Sequence, residues 1–457
     1  MSLMKSISGL RGTIGGKVGE NLTPIDVVKF SAAFATFLKK ENNKTQLTLV
    51  VGRDGRSTGH IVNNLVTATL QNMGVTVLDI GYTTTPTIEM CITQQHADGG
   101  IMITASHNPM NWNALKLLNE KGEFISGANA KILLEIAEND DYIFCSIAEL
   151  GSYLRYTNAI HDHINAILQL PLIDVEAIKK ANFSVIMDVI NSTGAIALPF
   201  LMEKLGIKKI QLLHGSMNGQ FAHNPEPLPE NLTCIANEMK TNHYDVGFVV
   251  DPDVDRLAIM MENGDMFGEE FTLVAVADYI LQHQKGNAVS NLSSTRALRD
   301  VTEWHGSLCF QSAVGEVNVV EKMKSVNAVI GGEGNGGVIY PDLHYGRDAL
   351  VGIALFLTYM AKSGKSCSEI RKIYPHYVIS KNKIELQKDV DINQIFDNIS
   401  KHYDANQINR EDGIKIDFKE GWVHLRPSNT EPILRIYAEA HNQQSAEALI
   451  AQMKNYF

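Results

Sequence analysis

The sequence predicts an α/β chain of several domains ending in a different, α+β domain. Two observations predict it. Apolar runs of strand length alternate with stretches of helical spacing, and the alternation recurs three times. After about Lys365 the texture changes to short alternating strands. The length agrees, because 457 residues at about 150 per domain suggest three or four domains.

The first round runs from Leu47–Val51, ending at Gly52, through a helical stretch near Ser57–Met73, to Val75–Ile80 and Ile101–Thr104. The second runs from Ser184–Ile190, through a helical stretch to Leu205, to Ile210–Leu213 and Asp245–Val250. The third runs from Asn287–Leu292, through a helix, to Ala328–Ile330. The last part reads as strands at Lys381–Leu386, Gly413–Phe418, Trp422–Arg426 and Leu434–Ala438, with helices near Asp391–Tyr403 and Gln444–Tyr456. We place the domains at 1–150, 151–257, 258–368 and 369–457.

Composition excludes several classes. Hydrophobic residues at 44% and charged residues at 20% describe a globular chain. A net charge of −11 argues against a nucleic-acid footprint. No apolar run of about 18 residues spans a membrane, and no apolar stretch near the start reads as a signal peptide. Five scattered cysteines without a CxxC pair read as reduced thiols, and we expect a cytoplasmic protein.

Four loops carry chemistry, and each follows or closes an apolar run. TASHNP (104–109) offers Ser106 as a nucleophile. His107 is its neighbour, but adjacent side chains on extended chain point apart. A Ser-His-Asp hydrolase would need a GxSxG elbow, which Ser106 lacks. In DPDVDR (251–256), Asp251, Asp253 and Asp255 alternate, so an extended backbone would place all three on one face. Like charges that close call for a hard divalent cation. An EF-hand would need glycine at its sixth position, where Arg256 stands. In GGEGNGG (331–337), Glu333 and Asn335 project from a glycine-rich loop and suit vicinal hydroxyls. In RPSNTEP (426–432), Arg426, Ser428, Asn429 and Thr430 supply donors for a phosphate, with Arg435 beyond. Lys5, Arg11 and Lys17 give the N-terminal stretch a local excess of positive charge.

Taken in order, TASHNP, DPDVDR, GEGNGG and RPSNTEP resemble the four signature loops of the α-D-phosphohexomutase family, over nearly the whole chain. The resemblance implies three similar mixed-sheet α/β domains and a C-terminal domain of TATA-binding-protein type, around a central cleft. It implies interconversion of hexose 6-phosphate and hexose 1-phosphate through a phosphoserine at Ser106 and a bisphosphorylated sugar. Mg²⁺ would be held by Asp251, Asp253, Asp255 and the phosphoserine, with a hexose 1,6-bisphosphate as activator. Arg11, His107 and Lys116 fall near the transferred group, Lys116 being the acid/base candidate if its pKa is depressed or its proton shared. Arg256 would steady that group. Glu333 and Asn335 would read the sugar, and Arg426, Ser428, Asn429, Thr430 and Arg435 would hold the other phosphate. The implied partner is a small sugar phosphate, with no nucleic acid or membrane, for a monomer or homodimer.

The loops also depart from the family's pattern. The sugar loop often reads GExSGH in bacterial members, whereas Asn335 and Gly337 replace the serine and histidine here. His344 or Arg347 could restore a basic group. Asn113–Lys116 reads NALK in place of NGxK, losing a turn glycine. Glucosamine phosphate is favoured as substrate. Mannose or glucose phosphate is the alternative, and a metal-dependent sugar phosphatase or a non-catalytic sensor are rivals.

Overall fold

The computed structural model describes residues 2–6, 9–385, 391–427 and 433–457. The chain divides into two compact units. The first comprises Met1–Thr272 and Gly336–Ser368, and the second Leu273–Asn335 and Glu369–Phe457. Ser428, Asn429 and Thr430 lie outside the described residues, as does Leu386 of the expected strand.

The first unit holds two mixed sheets among the described residues. The larger has the strand order Met4–Ser6, Gly9–Thr13, Trp112–Leu118, Gly99–Ile103, Leu47–Arg53, Val75–Tyr82, Tyr153–Arg155. Leu47–Arg53 pairs in parallel with Gly99–Ile103 and Val75–Tyr82, while Trp112–Leu118 runs antiparallel to both its neighbours. Period two explains the near-continuous apolar strands. Leu49 and Val51 pack on one face with Phe34, Val66 and Leu117, and Val50 packs on the other with Ile88, Ile92 and Met102. Both faces are therefore covered, and each buried aliphatic side chain contributes about 1.5–3 kcal/mol.

The smaller sheet has the order Leu257–Met261, Val246–Val250, Ser184–Asp188, Lys209–Leu213, antiparallel only at its first pair. The DPDVDR loop is thus the connection of a hairpin. Helix starts are specified locally. Thr23 and Asp26 form a capping box before Pro24–Glu41, and Thr84 caps Thr85–Gln94. Asp348 accepts from Leu350 and Val351 to start Ala349–Ser363. That helix is buried at every position from Ala349 to Met360, as an apolar stretch whose only hydroxyls are those of Thr358 and Tyr359 requires.

In the second unit, Cys309–Ser312, Asn287–Asn291 and Ala328–Glu333 pair in parallel. A wholly antiparallel sheet follows, in the order Val378–Glu385, Ile433–Ala440, Gly421–Pro427, Ile414–Phe418, Ile408–Asn409. Helices Ile392–Ser400 and Gln443–Lys454 accompany it, their Phe396, Ile399, Ile450 and Met453 packing in one core with Ile416, Val423 and Ile436. This matches the expected change of texture. Among the described residues, no helix is long and apolar enough to cross a membrane.

One local expectation needs correction. The NALK stretch is no turn but the strand Trp112–Leu118, where alanine fits without strain. Gly9–Thr13 pairs with Trp112–Leu118, so Arg11 is fixed in the sheet, whereas Lys17 is exposed and pairs with Glu20 at 2.8 Å.

Candidate active site

Three connections at carboxyl ends of strands build the site in the first unit. They follow Leu47–Arg53, Gly99–Ile103 and Val246–Val250, the position where α/β sheets place ligands.

Ser106 begins the arrangement. It is 3% exposed and has φ 47°, a left-handed conformation unusual for serine. Its backbone N–H donates to Thr104 Oγ1 at 2.9 Å, and Thr104 Oγ1 donates to Asp54 Oδ2 at 2.7 Å. Arg56 holds the loop from beneath. Its guanidinium donates to the carbonyls of Ser106 (2.6 Å), Asn108 (2.7 Å), Pro109 (2.7 Å) and Trp112 (2.9 Å), and to Asp54 Oδ2 (3.0 Å). Neither Arg56 nor Asp54 was singled out from the sequence. The available signal was RDGR directly after an apolar strand, the same cue that marked the other loops.

Ser106 Oγ donates to Asp251 Oδ2 at 2.7 Å. The three aspartates come together through a turn, not through extended alternation. Val254 has φ 62°, and its N–H donates to the Asp251 carbonyl at 3.1 Å. The backbone N–H groups of Asp255 and Arg256 both donate to Asp251 Oδ1. All three carboxylates are fully buried. Burial and the neighbouring Asp255 and Asp253 push the Asp251 carboxyl well above its usual range. Burial opposes ionisation of Asp255 too, but Arg347, Lys116 and Arg256 outweigh it and hold Asp255 below the usual range.

Lys116 Nζ donates to Asp253 Oδ2 at 2.7 Å and lies 3.3 Å from Asp255 Oδ2. Burial works to lower its pKa, but the two carboxylates prevail and raise it. The depressed lysine expected of a base is therefore not found, and Lys116 stands as an ammonium. Arg347 donates to Asp255 Oδ2 at 2.8 Å. His344 instead turns toward Glu89 (3.3 Å) and Asp348 (3.4 Å). Burial disfavours its charge, yet those two carboxylates raise its pKa to about 10.

Arg11 donates to Asn108 Oδ1 at 2.8 Å within the serine loop. His107 is not bonded to Ser106. Its Nδ1 is buried without a hydrogen-bond partner, and burial with Arg256 and Arg11 nearby keeps the ring neutral.

The unmet groups show what the site can hold. Asp253 Oδ1 and Asp255 Oδ1 are buried acceptors without partners, and Arg256 Nε is a buried donor without one. Orphaned carboxylate oxygens suit a cation, and an orphaned guanidinium N–H suits an anion. One oxygen from each of Asp251, Asp253 and Asp255 lies within 4.8 Å of the others, so the set fits a hard divalent ion.

In the second unit, Glu333 is 4% exposed, and its Oε1 accepts from Asn291 Nδ2 (2.8 Å) and the Gly315 N–H (3.1 Å). The Gly334 N–H donates to Ser294 Oγ at 2.9 Å, which fixes the loop between Glu333 and Asn335. Arg426 sits directly opposite Arg435, and Arg435 opposite Lys383. Three cations in a row across a sheet repel one another; Asp412, 3.7 Å from Arg426, offsets part of that cost, and a bound anion would relieve more of it.

Fold and site together define an α/β protein with a serine set against a metal-ready carboxylate triad. The phosphoglucomutase/phosphomannomutase α/β/α domains I, II and III match residues 5–143, 161–264 and 268–377, and the C-terminal domain of the same family matches 382–455. A phosphoglucomutase/phosphomannomutase of Thermococcus kodakarensis is 35% identical over 443 residues, 96% of each chain. A phosphoglucosamine/phosphogalactosamine mutase of Sulfurisphaera tokodaii is 31% identical over 454 residues, 97% of this chain and 98% of that one. In fold, a phosphoglucomutase/phosphomannomutase family protein of Burkholderia thailandensis superposes with a TM-score of 0.83 at 22% identity, covering 99% of this chain and 97% of that one. The chain belongs to the phosphoglucomutase/phosphomannomutase family, the α-D-phosphohexomutases.

Proposed function

We propose that this phosphohexomutase interconverts glucosamine 6-phosphate and glucosamine 1-phosphate, with Ser106 as the phosphoryl carrier. The observation that carries the reading is the Ser106 Oγ–Asp251 Oδ2 contact of 2.7 Å beside two orphaned carboxylate oxygens. Asp251, Asp253 and Asp255 would hold Mg²⁺, which when bound supplies positive charge next to the phosphoryl oxygens.

The chain's own residues do the rest. The P–O bond to Ser106 breaks as the sugar hydroxyl oxygen bonds to phosphorus, and the hydroxyl proton passes on balance to the departing Ser106 Oγ; the second half-reaction returns the sugar's other phosphate to Ser106 and the serine proton to the sugar oxygen it leaves. Such transfer depends on positioning and on charge neutralisation. Arg11, Lys116, Arg256 and Arg347 bring four positive charges to three carboxylates. Lys116 enters as a cation, so its first role is charge balance. His107, kept neutral, lines the loop without adding charge. Glu333 and Asn335 read the sugar hydroxyls. Arg426, with Ser428, Asn429, Thr430 and Arg435, holds the phosphate that is not being transferred. A hexose 1,6-bisphosphate would act as activator by charging Ser106. We also propose the division at 1–150, 151–257, 258–368 and 369–457, which the four matched segments support.

A second reading, mannose or glucose phosphate as substrate, is favoured by the name of the Thermococcus relative. Rates on glucosamine, glucose and mannose 6-phosphates, compared with Mg²⁺ and a bisphosphate present, decide between them. Fastest isomerisation of glucosamine 6-phosphate supports the proposal, and fastest isomerisation of another sugar overturns the substrate. Free phosphate without isomer would make the protein a phosphatase.

A further inference from the structure

A second cluster of metal-binding side chains lies on the smaller sheet of the first unit, apart from the aspartate triad in sequence and in donor chemistry. Asp188 ends the strand Ser184–Asp188, and the parallel register pairs it with Leu213. His214 is the next residue, so the sheet itself brings the two side chains together. His223 comes from the loop that follows.

His214 Nδ1 lies 3.0 Å from both oxygens of Asp188, and His223 Nε2 lies 3.2 Å from Asp188 Oδ2. His223 Nδ1 lies 2.8 Å from the Asn224 carbonyl. A carbonyl only accepts, so Nδ1 carries the hydrogen. In a neutral ring Nε2 is then a bare lone pair facing a carboxylate oxygen, which repels it. Two things relieve that contact: a proton on Nε2, or a metal ion that both groups ligate. An imidazole whose far N–H is committed to a backbone carbonyl is the usual orientation of a metal-bound histidine.

We propose that Asp188, His214 and His223 form an independent site for a divalent transition ion of the Zn²⁺ type. Two imidazoles and one carboxylate favour such an ion over Mg²⁺, which prefers oxygen ligands. The dimensions fit. Zn–N and Zn–O bonds of about 2.0–2.1 Å at tetrahedral angles put ligand atoms about 3.3–3.4 Å apart. Two of the three edges, at 3.0 and 3.2 Å, are close to that. The third lies within 4.8 Å and closes by a small movement of the histidine loop. The Asp188 side chain is 1% exposed while His214 and His223 are 24% and 13% exposed, so an ion can enter from solvent. A bound ion would tie the loop carrying His223 to the sheet and stabilise the fold by mass action.

The test uses the full chain, stripped with chelator and dialysed against Zn²⁺ in a large excess of Mg²⁺, with metal counted by mass spectrometry. The variants are His223→Gln, His214→Gln and, as a control on the triad, Asp253→Asn. Circular dichroism confirms which variants are folded, and either histidine variant suffices. Wild type and Asp253→Asn are expected to retain one more zinc than the histidine variants, and to melt higher as zinc is raised. The visible spectrum of the Co²⁺ form should change in the histidine variants alone. Equal zinc in wild type and a folded histidine variant overturns the proposal, as does loss of the zinc in Asp253→Asn only. Wild type without zinc also overturns it, and the contact then belongs to a proton.

Discussion

Replacing Arg56 tests how the reactive serine is held. The side chain is 1% exposed and serves four backbone carbonyls and Asp54, at distances from 2.6 to 3.0 Å. Arg56→Ala leaves those acceptors buried and a carboxylate without its partner. Removing one side of a buried pair costs about 3–5 kcal/mol, and stranded carbonyls add to it. Arg56→Lys is expected to recover little, because an ammonium is a point charge that cannot span a five-contact fork. The loop also loses what keeps Ser106 at φ 47°, and a serine displaced by about 1 Å costs on the order of 100-fold in rate. Urea unfolding followed through Trp112, the tryptophan of the first unit, measures the first effect, and kcat at saturating sugar phosphate measures the second. An Arg56→Lys protein with wild-type stability and kcat would refute the reasoning.

Other outcomes follow from the same structure. Ser106→Ala should fold normally and lose nearly all turnover, so a variant with near-full rate would point to another nucleophile. Arg426→Ala should raise KM more than it lowers kcat, since it removes one of three aligned cations. An unchanged KM contradicts that. Lys415 is fully buried over the Trp422 ring at 4.6 Å, its Nζ has no hydrogen-bond partner, and burial lowers its pKa from 10.5 to about 8. That drop corresponds to about 3 kcal/mol of destabilisation while the group is charged in both states. The unfolded chain binds the extra proton between about 8 and 10.5, so stability rises with pH across that window. Lys415→Met should therefore be more stable than wild type near neutral pH. The advantage should shrink above about pH 8, and a constant difference in melts from pH 7 to 10 would contradict this.

The sequence carried the fold because period-two apolar runs ending in Gly or Asp mark buried parallel strands. Leu49, Val50 and Val51 alternate between two cores as that pattern requires. It also carried the loops, because serine, carboxylate and arginine types at strand ends are read residue by residue. What it did not carry is tertiary. The strand Trp112–Leu118 reads as a turn because Pro109 and three asparagines surround it, and pairing with Gly9–Thr13 overrides that local signal. The state of Lys116 is set by Asp253 and Asp255, over a hundred positions away. Arg347 reaches Asp255 across 92 positions, a contact the sequence could not place.

The central claim is that Ser106 carries the phosphoryl group, and one measurement reaches it most directly. Dephosphorylated protein is mixed with a hexose 1,6-bisphosphate and Mg²⁺, and intact mass and peptide maps are taken. A single phosphate-sized adduct on the peptide containing Ser106, absent in Ser106→Ala, is the expected result. No adduct, or an adduct that persists in Ser106→Ala, would contradict the account.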